Sequence, residues 1–189
     1  MKRHILPLAA ALVLTAASII TAHAHASLEK SESPTGSYKA VMRIPHGCGE
    51  QATNVVRIDL PEGFIQAKPM PKAGWQVEVE KGDYAKTYMN HGKEVKSGVK
   101  AVIWKGGDLP TDFYDEFVIS GTLADVEAGS SLAFPTVQTC KDGTVSWTEL
   151  AKDGQDPHAL EHPAPLLKIA ASDMSAHDHG MGTTAAIKV

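Results

Sequence analysis

Two histidines, His23 and His25, stand among small residues directly after an uncharged apolar run. An internal histidine offers a metal ion one imidazole. A histidine at the very start of a chain offers two nitrogens, its α-amine and its imidazole Nδ1, which together close a chelate on one ion. Nitrogen donors in a roughly square arrangement suit Cu(II), which also tops the divalent affinity series. The amine must shed its proton to bind, so such a site weakens in acid. Which histidine gains this chemistry depends on where the chain is cut.

Residues 1–24 read as a secretory signal. Lys2 and Arg3 give a positive start, an apolar stretch runs from about Ile5 to Ile20, and small residues follow. The stretch is somewhat short for a membrane span, and no later run is long and apolar enough to be one. Two cuts satisfy the small-x-small rule. Ala22-His23-Ala24 frees His25, and Ala24-His25-Ala26 frees Ser27. A third cut, before His23, gives His-Ala-His, a different square-planar site, but puts bulky Ile20 where a small residue is wanted. The pattern favours a mature chain starting at His25.

A two-nitrogen chelate needs further donors. In "IPHGCGE", residues 44–50, Glu50 offers a carboxylate oxygen, and its alternative is an ordinary solvated glutamate. His46 is open between a second imidazole ligand, a group behind the ligands and a plain loop residue. Cys48 and Cys140 are the only cysteines. An even count in an exported chain favours a disulfide, which would hold the segment around Cys48 beside that around Cys140. Further along, "DMSAHDHGMG" carries Met174, His177, His179 and Met181. Thioethers favour Cu(I) and imidazoles take either oxidation state, so this is either a copper-capturing tail or low-complexity filler. His158 and His162 stand near prolines and read as exposed loop residues.

The elements that must position these groups are strands. Alternation runs through "SYKAVMRI", "NVVRIDL", "WQVEVE", "VKAVIW", "EFVISGTL", "SLAFPTVQTC" and "TVSWTEL", between residues 37 and 150. It places Tyr38, Ala40, Met42 and Ile44 on one face, and Trp75, Val77 and Val79 on another. Period-two patterning means half-buried antiparallel strands, and seven or more at this spacing predict an all-β sandwich. Asp142-Gly143 marks a hairpin joining the strand of Cys140 to that of Trp147. Residues 82–98 fit a polar hairpin or a mobile loop equally well. After Ala151 the chain is expected to run over the surface, with Leu166, Leu167 and Ile169 docked. From Ala171 it is expected to be flexible. The division is thus signal 1–24, domain 25–170 and tail 171–189.

The formal net charge is −4 and becomes −6 once Lys2 and Arg3 leave with the signal. A mildly acidic chain with no basic block argues against nucleic acid as a partner.

In order along the chain stand an exported histidine, "VMRIPHGCGEQATNVVRIDLPEGF", "KPMPKAGWQVEV", "AVIWKGGDLP", "YDEFVISGTL", "LAFPTVQTCKDGTVSWTEL" and "EHPAPLLKI". This ordered set, over about residues 25–170, resembles the YcnI-like copper-binding domain family. The resemblance implies an antiparallel β-sandwich akin to fibronectin type III and cupredoxin-like folds. It also implies Cu(II) held by a monohistidine brace, with a glutamate and a tryptophan at the site. Carried onto this chain, the brace is His25 and the carboxylate Glu50. The tryptophan is assigned to Trp147, because the cysteine bridge would bring its hairpin towards Glu50. Trp104 is the alternative, and Trp75 reads as a core anchor.

The function implied is periplasmic or otherwise extracytoplasmic copper delivery, storage or resistance, without catalysis. Its partners would be the copper ion and another periplasmic or membrane copper protein. Two other classes compete. A brace-type copper oxygenase would need a second imidazole and an open face, and a metal-free extracellular interaction module would need neither.

Overall fold

The computed structural model describes residues 25–156 and 159–171. The signal 1–24, His158 and the tail cluster of Met174, His177, His179 and Met181 lie outside these residues.

Twelve strands and no α-helix make up the described chain. They are β1 (Ser27–Leu28), β2 (Glu32–Ser33), β3 (Gly36–Ile44), β4 (Thr53–Asp59), β5 (Phe64–Pro69) and β6 (Gln76–Asn90). Then come β7 (Lys93–Leu109), β8 (Asp115–Leu123), β9 (Ser131–Ala133), β10 (Thr136–Cys140), β11 (Thr144–Trp147) and β12 (Leu166–Ile169). One sheet has the order β1-β3-β8-β5, a second β11-β10-β4-β7-β6, and a third, small one β2-β12-β9. All pairings are antiparallel except β2 with β12.

Alternation drives this arrangement. Inward residues of the first sheet (Ala40, Met42, Phe117, Ile119) meet Val56, Ile58, Val102 and Trp104 of the second in one buried cluster. Leu167 and Ile169 join it from the third sheet. Each large side chain removed from water contributes about 1.5–3 kcal/mol. Trp104 is wholly buried, edge-on to Phe117 at 5.3 Å between ring centres. Trp75 also packs on Phe117, at 5.0 Å, as its alternation predicts. Val79, expected on the same inward face, is 39% exposed, because β6 is the edge strand of its sheet.

Residues 82–98 form a hairpin. Asn90 pairs with Lys93, and the two connecting residues, His91 and Gly92, both take positive φ (48° and 75°). That is the two-residue turn whose twist matches the strands it joins. The hairpin has its own small core of Ile65, Tyr84 and Tyr88. The Asp142-Gly143 hairpin forms as the sequence indicates, with Thr139 opposite Thr144.

The "SLAFPTVQTC" run is broken at Pro135 into β9 and β10, which enter different sheets. The segment after Ala151, expected to run over the surface, contributes β12. Leu167 and Ile169 dock as expected; Leu166 does not and is 42% exposed, being on the outward face of that strand.

Tyr38, in β3, donates its hydroxyl proton to the carbonyl of Lys30 at 2.6 Å. Burial, aided by the charge of Glu29, pushes its phenol up to about 12 from an ordinary 10.0. The unfolded chain therefore loses this proton at lower pH than the folded one. The contribution of Tyr38 is intact below pH 10 and is lost as pH rises towards 12. Thermal melts between pH 9 and 12 should show Tm falling, and Tyr38→Phe should flatten that fall.

Candidate functional site

His25 lies just ahead of β1, the edge strand of the first sheet. In that pairing Ser27 faces Arg43 and Leu28 faces Met42. The same register carried two residues further sets His25 opposite Pro45, and the two line one open depression with Ser27, Arg43 and Tyr114. His25 is therefore held next to the "IPHGCGE" loop by strand pairing, before any ligand is considered.

Trp147 packs against His25. It is the last residue of β11, opposite Thr136, and is only 3% exposed. Three imidazoles surround its ring. His25 meets it edge-on at 5.7 Å between centres, His46 edge-on at 6.3 Å, and His162 tilted at 5.2 Å. Trp104, in the same buried cluster, packs on Phe117 instead, with its indole N–H directed at the carbonyl of Met70.

A buried polar bracket fixes this cluster. Gln138, wholly buried in β10, accepts a hydrogen bond from the Trp147 indole N–H at 2.5 Å. Its amide nitrogen donates to the carbonyl of His46 at 2.7 Å and to the Thr53 hydroxyl at 3.0 Å. One side chain thus ties the tryptophan to the histidine loop, and a fully satisfied buried network of this kind enforces a single arrangement. Gln138 escaped the sequence reading, though a signal existed. It is a polar residue at an inward position of "TVQTC", where only a satisfied partner set makes burial tolerable.

The loop carrying His46 and Glu50 is pinned from three sides. Cys48 and Cys140 form a disulfide with their Cα atoms 6.0 Å apart. Gln51 accepts from the backbone N–H of Asp142 at 2.8 Å. Thr111 accepts from the N–H of Gly47 and donates to the carbonyl of Gly49 at 2.7 Å. Gly47 is required here: a Cβ on it would lie 1.8 Å from the carbonyl oxygen of Gln51. Glu50 occupies the tip of the Cys48–Gln51 turn and is exposed.

His162, read from sequence as an exposed loop residue, is half-buried against Trp147. The N–H groups of Thr148 and Glu149 donate to its carbonyl, each at 3.1 Å, and its own N–H donates to the Glu149 carboxylate at 2.9 Å. These bonds clamp it to the chain just past Trp147. Nothing local in "EHPAP" signals such a long-range pairing.

The charge at the depression is balanced. The Arg43 guanidinium reaches Glu116 at 3.2 Å and Glu29 at 3.4 Å. Its cation is thereby neutralised, at a net stabilisation of no more than about 1 kcal/mol per exposed pair. A larger groove, floored by Gln66–Lys68, Gly98 and Gly121, has no His, Cys, Asp or Glu in its lining. Among the described residues, no three His, Cys, Asp or Glu side chains form a group that could hold a metal ion.

The family model described as a domain of unknown function, DUF1775, matches residues 25–169, so that the matched region starts at His25 itself. The chain belongs to this family. DUF1775 is the family that includes the YcnI-like proteins. Among solved structures, this DUF1775 domain is similar to an uncharacterized protein from Nocardia farcinica whose crystal structure reveals an immunoglobulin-like fold. The two are 27% identical, the match covers 78% of this chain and 99% of that one, and the TM-score is 0.56. No curated protein matches. The disulfide fits the oxidising environment of an extracellular β-sandwich domain. Among the described residues, no helix is long and apolar enough to cross a membrane.

Proposed function

We propose that this DUF1775 domain is an exported copper-binding protein of the cell envelope, holding one Cu(II) at an amino terminus created by cleavage before His25. The observation that carries the reading is the contact of His25 with Trp147. The residue that a signal cut would turn into a bidentate nitrogen donor lies against a buried tryptophan, at the mouth of a rigid loop.

The donor set suits the ion. A brace does not need three ligating side chains, because His25 supplies two donors and one of them is its backbone amine. Amine and imidazole nitrogens favour Cu(II), and Glu50 is the carboxylate expected beside them. The neutralised Arg43 leaves no unopposed cation lining the depression to repel the metal. Trp147 would cover one face and keep small molecules from the ion. Copper would contribute its charge and redox capacity. The chain would hold it, screen it and release it to another envelope copper protein, with no turnover.

The position of His46 favours a second reading, a brace-type oxygenase. Copper-loaded protein given reductant and peroxide should leave polysaccharides intact under the first reading and oxidise them under the second.

Titration of protein starting at His25 with Cu(II) is the primary test. One equivalent should bind and quench tryptophan fluorescence, because Trp147 adjoins the site. Absence of saturable binding would leave a metal-free interaction module as the better account.

A further inference from the structure

We infer that His46 is itself a copper ligand through Nε2, giving the site a third nitrogen. This rests on the brace reading above and adds to it a donor that the family resemblance does not supply.

The tautomer is the first argument. His46 Nδ1 lies 2.6 Å from the carbonyl oxygen of Gly47. A carbonyl only accepts, so Nδ1 carries the proton in this bond, and the lone pair of the neutral imidazole is then on Nε2. A ring whose far nitrogen is held by a backbone carbonyl is the usual state of a metal-ligating histidine.

Placement is the second. The rings of His25 and His46 both lie edge-on to the same Trp147 indole. The backbone of His46 is fixed on either side, its carbonyl by Gln138 and the following N–H by Thr111. A residue this immobilised carries little ordering cost when it binds a metal.

The contrast with Glu50 is the third. Glu50 is exposed at the tip of the turn, with the disulfide and the Gln51–Asp142 contacts on its flanks. Of the two candidate donors from this loop, His46 is the one packed on the tryptophan that His25 touches. An amine, the Nδ1 of His25 and the Nε2 of His46 make a three-nitrogen set, which Cu(II) prefers to one with fewer nitrogens and more oxygens.

The test is electron paramagnetic resonance of protein starting at His25, loaded with one equivalent of Cu(II), with ¹⁵N-labelled histidine to identify the bound nitrogens. The wild type should show two bound imidazoles. His46→Gln should show one, keep its melting temperature within a few degrees, and bind Cu(II) at least about 10-fold more weakly, since loss of even an outer partner of a ligand costs about 10–100-fold. Glu50→Gln should keep both imidazoles. Two-imidazole spectra that persist in His46→Gln, or a wild-type spectrum with one imidazole, overturn the assignment of His46 while leaving the brace standing. A wild type that binds no Cu(II) removes both.

Discussion

Protein carrying one extra residue ahead of His25, or an acetylated His25 amine, should lose tight Cu(II) binding while melting at an unchanged temperature. The expected loss is more than about 100-fold, because a chelating donor is removed rather than an outer partner, whose removal already costs about 10–100-fold. The fold should not notice. His25 precedes β1 and is only half-buried. The imidazole is retained in both altered forms, so the experiment isolates the amine. His25→Ala is the complementary variant, removing the ring and keeping the amine, and it should fall by a similar factor. If the blocked and extended forms bind Cu(II) as tightly as the free terminus, copper is held by internal side chains and the brace is wrong.

Removing the disulfide should do the most damage to stability. Cys48 and Cys140 are 92 residues apart, and a loop of that length is credited with about 4–5 kcal/mol by chain entropy, an upper figure. Cys48→Ser with Cys140→Ser should lower Tm by roughly 10 °C, taking the usual conversion for a domain of this size. The site should suffer as well. The bridge links the His46 loop to the β10–β11 hairpin that carries Gln138 and Trp147. Without it, the Gln138 bracket and the Gln51–Asp142 contacts must hold the two parts together. We expect a weaker copper complex in the double variant even at temperatures where it is folded, measured by competition with a chelator of known affinity. A variant with reduced Tm but unchanged affinity would show that the Gln138 bracket and the Gln51–Asp142 contacts suffice to organise the site.

Most of the sandwich was legible because its strands alternate. β3, β4, β7 and β8 each place apolar residues at every second position, and one buried face admits only one register. The less regular parts were hidden for identifiable reasons. β12 is four residues long, follows prolines, and pairs in parallel with a two-residue strand more than 130 positions earlier. Hydrophobic periodicity is silent about such partners. The 82–98 hairpin turns on His91-Gly92, a weaker signal than Asn-Gly, so loop and hairpin looked alike.

The site divides the same way. The cleavage pattern singled out His25 as a candidate, and the proximity of Cys48 to Cys140 was legible from their number. Trp147 followed from the bridge, and the structure sets Trp147 and not Trp104 against His25. The two other rings on Trp147 were not legible. His46 stayed open between a ligand, a group behind the ligands and a plain loop residue, since only the Gln138 bracket fixes its backbone, and His162 depends on bonds with Glu149 across 13 positions.

The most direct test of the account is native mass spectrometry of the protein recovered from the cell envelope after expression of the full chain. The predicted species is residues 25–189, beginning with His25, with its disulfide closed and one copper ion bound. A chain beginning at Ser27 that still carries one copper would contradict the central claim, since that cut removes both brace nitrogens.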